Sequence, residues 1–331
     1  MQNLPKFLWC VAAFAVIAVA VVSVQPSSEE GGAQPVLRTS GEDLLPIKGF
    51  WKSEIRRLGA DRAYAAFLEQ APENDIVDTH TLAHLFGEAL YEEVGINGIK
   101  TCDASFKFGC YHSFFGMAVY REGIDVLPVF DQACKDSYGN FNLPCQHGIG
   151  HGLLVHTGYG ELEKALQLCE QISWQPTGGC SSGVFMEYNF HTMEADDGEY
   201  VRAPDNDLYF PCSTLSDRYQ PSCYLEQTQW WESVFGSDWK KIGELCVAIP
   251  SAENRQACFH GMGNYIAAEA ELDPQKAVVL CAVAPETGRA FCHEGASWLI
   301  RGSGEGIGQA RLVCRALADE GERTRCLNTL Q

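Results

Sequence analysis

The sequence predicts an all-α fold, a right-handed α/α solenoid of about eight helix pairs repeating every 34–35 residues. Three observations predict it: a periodic ladder of cysteines, an amphipathic stripe ahead of the first cysteine of each pair, and a glycine-bearing phrase after the second. Fourteen of the 15 cysteines form seven close pairs: Cys102/Cys110, Cys134/Cys145, Cys169/Cys180, Cys212/Cys223, Cys246/Cys258, Cys281/Cys292 and Cys314/Cys326. The gap within a pair is mostly 11 or 12 residues and the step between pairs mostly 33 to 35, with one step of 43. A fixed period in this range marks stacked supersecondary units.

Residues 1–24 read as an N-terminal membrane anchor, with a removed signal peptide as the alternative. The apolar run from Phe7 to Val24 spans about 27 Å as a helix, just enough to cross a bilayer. Cys10, the fifteenth cysteine, lies inside it. Residues 25–48, rich in Ser, Gly, Glu and Pro, read as a flexible tether, and residues 49–331 as the helical-repeat domain. This places the body outside the cytoplasm, periplasmic or extracellular, and secreted if the first segment is cleaved. The even count of cysteines left without Cys10 agrees with full pairing in an oxidising compartment. Zinc-knuckle spacing is absent. A net charge of −19 repels nucleic acid and anionic membrane surfaces.

The first unit lacks cysteines: Phe50 to Gln70 is its helix A and Asp78 to Glu93 its helix B. In the later units helix A ends in a cysteine. Leu162, Ala165, Leu166 and Cys169 fall at i, i+3, i+4 and i+7, the stripe of an amphipathic helix. Trp239–Ile249, Asp273–Val283 and Gly306–Leu317 repeat the phrase, and Asp273-Pro274 is a capped helix start. Breakers such as Pro176-Thr177-Gly178-Gly179 and Pro285-Glu286-Thr287-Gly288 follow. Helix B then opens at the partner cysteine, as in Cys145-Gln146-His147-Gly148-Ile149-Gly150-His151, Cys258-Phe259-His260-Gly261 and Cys292-His293-Glu294-Gly295. Each disulfide staples A to B across a short loop, contributing roughly 3 kcal/mol. Glycines in the first turns of helix B cost about 1 kcal/mol each, so their recurrence implies close helix approach. The long step holds an acidic insertion, residues 193–207, which reads as a solvated loop.

Two helices per repeat with cysteine staples resemble the Sel1-like and tetratricopeptide superfamily of α/α repeats, over about residues 50 to 330. The resemblance rests on period and phrase order. It implies a scaffold that binds proteins or peptides on its concave face, and it carries over no catalytic residue.

Counted from the helix-B cysteine, position +2 holds His80, His112, His147, Ser182, Leu225, His260 and Glu294, taking Asp78 as the cysteine's equivalent in the first unit. Position +6, one turn later on the same face, holds His84 and His151 in two units. His80/His84 and His147/His151 are therefore H-x3-H pairs, able to chelate one metal, and His112 lies on the helix between them. These residues, with His260 at the same register, are the candidate ligands for zinc, copper or iron; Glu88 or Glu187 is the candidate carboxylate partner. The +2 histidines also have a structural alternative, hydrogen bonding within each repeat. His156, His191 and His293 lie off this face. Gly179-Cys180-Ser181-Ser182-Gly183 matches G-x-S-x-G but has no strand before it, and no H-E-x-x-H or haem motif occurs. The expected function is an exported scaffold binding a protein or peptide on the concave helix-B face, with a His-rich metal-binding protein or metal-dependent enzyme centred on His80/His84 and His147/His151 with His112 as the alternative. The sequence assigns no reaction.

Overall fold

The computed structural model describes residues 44–331 apart from 72–75, 104, 107–108, 140–142, 195–201, 203–206, 303–305 and 331. All of them belong to one unit, Leu37–Gln331. The expected anchor 1–24, residues 25–43 of the expected tether and most of the acidic insertion 193–207 lie outside the described residues. Among the described residues, no helix is long and apolar enough to cross a membrane.

The described residues form fifteen α-helices and no strand: α1 Leu44–Leu58, α2 Ala60–Gln70, α3 Ile76–Val94, α4 Gly109–Glu122, α5 Leu127–Tyr138, α6 Leu143–Thr157, α7 Leu162–Leu168, α8 Cys180–Glu194, α9 Gln220–Phe235, α10 Trp239–Ala248, α11 Ala252–Glu269, α12 Pro274–Cys281, α13 Glu286–Gly302, α14 Gly306–Arg315 and α15 Glu320–Asn328. The all-α expectation holds. So do all seven disulfides: Cys102–Cys110, Cys134–Cys145, Cys169–Cys180, Cys212–Cys223, Cys246–Cys258, Cys281–Cys292 and Cys314–Cys326, with Cα–Cα distances between 5.4 and 5.8 Å.

Where helix B begins requires a correction. Cys180 does open α8, but Cys223, Cys258, Cys292 and Cys326 lie inside their helices, which begin earlier at Gln220, Ala252, Glu286 and Glu320. Start signals upstream of each cysteine are the reason. Ser251 and Asp319 cap α11 and α15 by accepting from the Asn254 and Glu322 amides, and Pro221 sits in the first turn of α9, where its missing N–H costs nothing. Before α13, the Pro285 carbonyl accepts from the Gly288 and Arg289 amides, so most of the expected breaker is helical. In these four units the staple therefore grips helix B past its start, and the true loop is shorter than the cysteine gap. All four cysteines are buried.

Two other boundaries differ. Helix α1 already runs from Leu44, inside the stretch expected to be tether. Its first helix A is two helices, because Gly59 at φ 83° breaks the run, a backbone conformation that glycine adopts without penalty. Asp273 caps α12 as expected, accepting hydrogen bonds from the Gln275 and Lys276 amides.

The B helices α3, α4, α6, α8, α9, α11 and α13 lie side by side, each packed on the next. Glycines make this possible. A Cβ on Gly150 of α6 would stand 2.0 Å from the Cys180 carbonyl oxygen, and one on Gly183 of α8 would stand 1.9 Å from that of His147. The α11/α13 pair repeats the reciprocal contact: Gly263 faces the Cys292 carbonyl and Gly295 that of His260. Two of these B helices are covered on every side over much of their length: Cys145–Leu154 of α6 and Pro221–Trp231 of α9 are buried without interruption. A surface helix would bury only one stripe.

Part of that cover comes from the chain returning on itself. The Phe190 ring of α8 lies 6.4 Å from that of His80 on α3, and Trp298 of α13 reaches Gly178, just before α8. In both cases three steps along the B-helix row bring a helix back to an earlier one. At these two places side chains of the row itself reach across to an earlier helix.

One buried position makes a prediction. Glu226 of α9 is buried at 2 % exposure and accepts a hydrogen bond from Tyr265 of α11 at 3.0 Å. Burial pushes its carboxyl up from an ordinary 4.5 to about 8. The folded state keeps this proton where the unfolded chain has released it, so unfolding releases a proton between pH 4.5 and about 8. Stability therefore falls as pH rises through that window, by at most about 1.4 kcal/mol per pH unit. Glu226→Gln stays neutral throughout and is expected to flatten the curve. Urea unfolding at pH 5 and pH 8 checks this; equal pH dependence in both proteins would contradict it.

Candidate metal centre

Three adjacent B helices bring five imidazoles together on the inner face. His80 and His84 come from α3, His112 from α4, and His147 and His151 from α6. The staples and glycines set their height: Gly109, next to Cys110, sits so close that its Cβ would stand 2.8 Å from the His80 carbonyl oxygen. The ligand atoms of His80, His84 and His112 all lie within 4.8 Å of one another, as do those of His112, His147 and His151. In each triad the donor atoms are spaced within reach of one ion, and the two triads share His112.

Neighbouring groups set the tautomers. The Phe106 carbonyl, 2.7 Å from His80 Nδ1, can only accept, so Nδ1 carries the proton and the neutral ring keeps its lone pair on Nε2. Phe106 reaches this position with φ 54°, costly for a bulky side chain, inside the loop closed by Cys102–Cys110. At the other end, His151 Nδ1 donates to Glu187 of α8 at 2.8 Å. The second Glu187 oxygen accepts from the Tyr159 hydroxyl at 2.8 Å. Burial pushes this carboxyl up, but the hydrogen bonds from His151 and Tyr159 outweigh it and hold it below its ordinary value. An ionised carboxylate behind a histidine orients the ring and raises its basicity toward a metal.

Three of the rings, His84, His112 and His147, are held toward the neutral form, the form that binds metal. Burial, helped by neighbouring His80, pulls His84 down to about 3. Burial also holds His112 and His147 well below the ordinary imidazole value, with His151 adding to it in both. His84 Nε2 and His112 Nε2 are buried without a hydrogen-bond partner. Leaving such an atom unsatisfied costs about 1–3 kcal/mol, a cost that a metal ligated by these nitrogens would remove.

The other candidates lie elsewhere. His260, at the same register on α11, is not brought to the cluster; its Nε2 meets Glu294 of α13 at 3.0 Å, and Arg325 of α15 donates to the other Glu294 oxygen at 2.6 Å. Glu88 pairs with Lys48 at 2.7 Å, so Glu187 is the carboxylate that serves the cluster. His191 stacks on Tyr159 with centroids 3.7 Å apart, and His293 Nδ1 bonds the Arg289 carbonyl at 2.9 Å. Sequence reasoning missed Phe106, Tyr159 and Phe190, whose ring lies 6.4 Å from both His80 and His151; none recurs at a repeat register.

Fold and site together define a class, an all-helical repeat protein stapled by disulfides around a buried polyimidazole cluster. The chain matches no protein-family model, no curated protein and no solved structure.

Proposed function

We propose that this is an exported metalloprotein that binds a divalent transition metal, zinc or copper, through His80, His84 and His112. The observation that carries the reading is the pair of orphaned buried nitrogens, His84 Nε2 and His112 Nε2, facing a third imidazole whose lone pair is pinned on Nε2. Ring geometry favours this triad over the other. With bonds of about 2.0–2.1 Å, an ion sits about 3.2 Å from each imidazole centroid, so two rings on one tetrahedral ion have centroids about 5.2 Å apart. His112 stands 5.3 Å from His80 and 5.5 Å from His84, inclined by 70° and 72°, and His80 stands 4.5 Å from His84 at 59°. His112 stacks on His151 at 3.7 Å and 25° instead, and near-parallel stacked rings cannot both aim in-plane lone pairs at one ion.

Imidazole-only ligation suits zinc and copper. Three protein ligands leave a position for water or a substrate, the pattern of a catalytic rather than a structural zinc site. Seven disulfides support an oxidising compartment. The burial of the helix-B register supports a ligand held inside the wall over a partner laid across it.

The test is metal analysis of the full oxidised chain purified without chelator. Stoichiometric zinc or copper is expected, and its removal by chelator is expected to lower the unfolding midpoint. Metal-free protein whose midpoint is unchanged by chelator or by added zinc and copper would overturn the reading.

A further inference from the structure

The three-imidazole reading leaves two histidines of the cluster without a role. His147 and His151 are one helical turn apart on α6, and their Nε2 atoms stand 3.1 Å from each other. That contact is a hydrogen bond, His147 Nε2–H donating to His151 Nε2. Two nitrogens bound at about 2.0–2.1 Å to one tetrahedral ion are about 3.4 Å apart, so an ion that displaces this one proton finds the pair close to the bite of a chelate. His147 does not fit the first ion: its ring centroid is 6.5 Å from that of His112, about the greatest separation two rings on one ion can have. The Glu187 carboxylate behind His151 Nδ1 leaves that ring's lone pair on Nε2, facing His147. This carboxylate, held by Tyr159 and His151, also supplies negative charge beside the position.

Resting on the reading of the first triad, we infer that the protein holds two metal ions: one on His80, His84 and His112, and a second on the chelate His147/His151, oriented by Glu187. The stack of His112 on His151 joins the two positions, so the second ion lies beside the first rather than in a separate pocket. With two protein ligands against three, the second position binds more weakly and fills last. Water completes its coordination.

The experiment counts equivalents. Full-length oxidised protein is stripped with chelator and titrated separately with zinc sulfate and copper(II) sulfate. Bound metal is measured after gel filtration, and circular dichroism verifies that every variant is folded. Two equivalents are expected in the unmodified protein, and one in His147→Gln, with the tighter step retained. His84→Gln is expected to lose the tighter step, and Glu187→Gln to weaken only the second step by about 10–100-fold. One equivalent in the unmodified protein, retained in His147→Gln, would overturn the second position and leave the three-histidine centre standing. No equivalent of either metal would overturn both.

Discussion

Replacing Gly183 by alanine is expected to destabilise the oxidised protein by about 3 kcal/mol, the upper end of the usual cost of overpacking. The new Cβ would stand 1.9 Å from the His147 carbonyl oxygen and 2.8 Å from its carbon. Those are backbone atoms in the stretch of α6 that is buried without interruption, Cys145–Leu154, so no side chain can swing aside to make room. α6 and α8 would have to separate. The effect reaches the site, because α6 carries His147 and His151 and α8 carries Glu187, whose hydrogen bond to His151 spans that crossing. Gly308 of α14 is the control: it is exposed, nothing lies within 4 Å of its Cβ position, and alanine there gains up to about 1 kcal/mol of helix propensity. Chemical unfolding of both variants checks the pair. Equal midpoints would contradict the close crossing.

His112→Ala is expected to lower metal affinity by about 100-fold or more, above the 10–100-fold typical of losing a group that merely orients a ligand. His112 is the central ring of the cluster, and its Nε2 is one of the two orphaned nitrogens. His260→Ala is the matched control. It removes a histidine from the same register of another B helix, where the ring pairs with Glu294. Metal content in that variant is expected to be unchanged. Competition titration with a chromophoric chelator reads both. Equal losses in the two variants would show that the metal is not held by this cluster.

These expectations depend on features that differ in how far they were legible in the sequence. The staples were legible because cysteine pairs at a constant gap across a helix–loop–helix unit have only their own partners within reach. The cysteines mark register rather than helix ends, however. Cys258 and Cys326 lie well inside α11 and α15 because Ser251 and Asp319 start those helices, and a cap is a local signal independent of the staple. The register aligned His80, His112 and His147, and the structure puts those three on adjacent helices. Register alone could not separate His112 from His260. It fixes the height and face of a residue, whereas its partners come from the next helix, which offers His147 and His151 to the one and Glu294 to the other.

The return of the row on itself at Phe190 and Trp298 was not legible either. Whether a row of helices leaves a groove or closes on itself depends on small crossing angles summed over several repeats. Tyr159 and Phe106 were beyond reach for a related reason: each serves the site through one loop geometry, with no periodic signal. The break at Gly59 is a local matter, since a single glycine in a helical pattern is compatible with continuation or with a turn.

The most direct test of a polyimidazole metal centre is an anomalous-difference map from crystals of the metal-loaded, fully oxidised protein, measured at the absorption edge of the bound metal. A peak is expected among α3, α4 and α6, about 2.0–2.1 Å from ring nitrogens of His80, His84 and His112. Density at the edge confined to His260 and Glu294 or to surface carboxylates, with none among those three histidines, would contradict it.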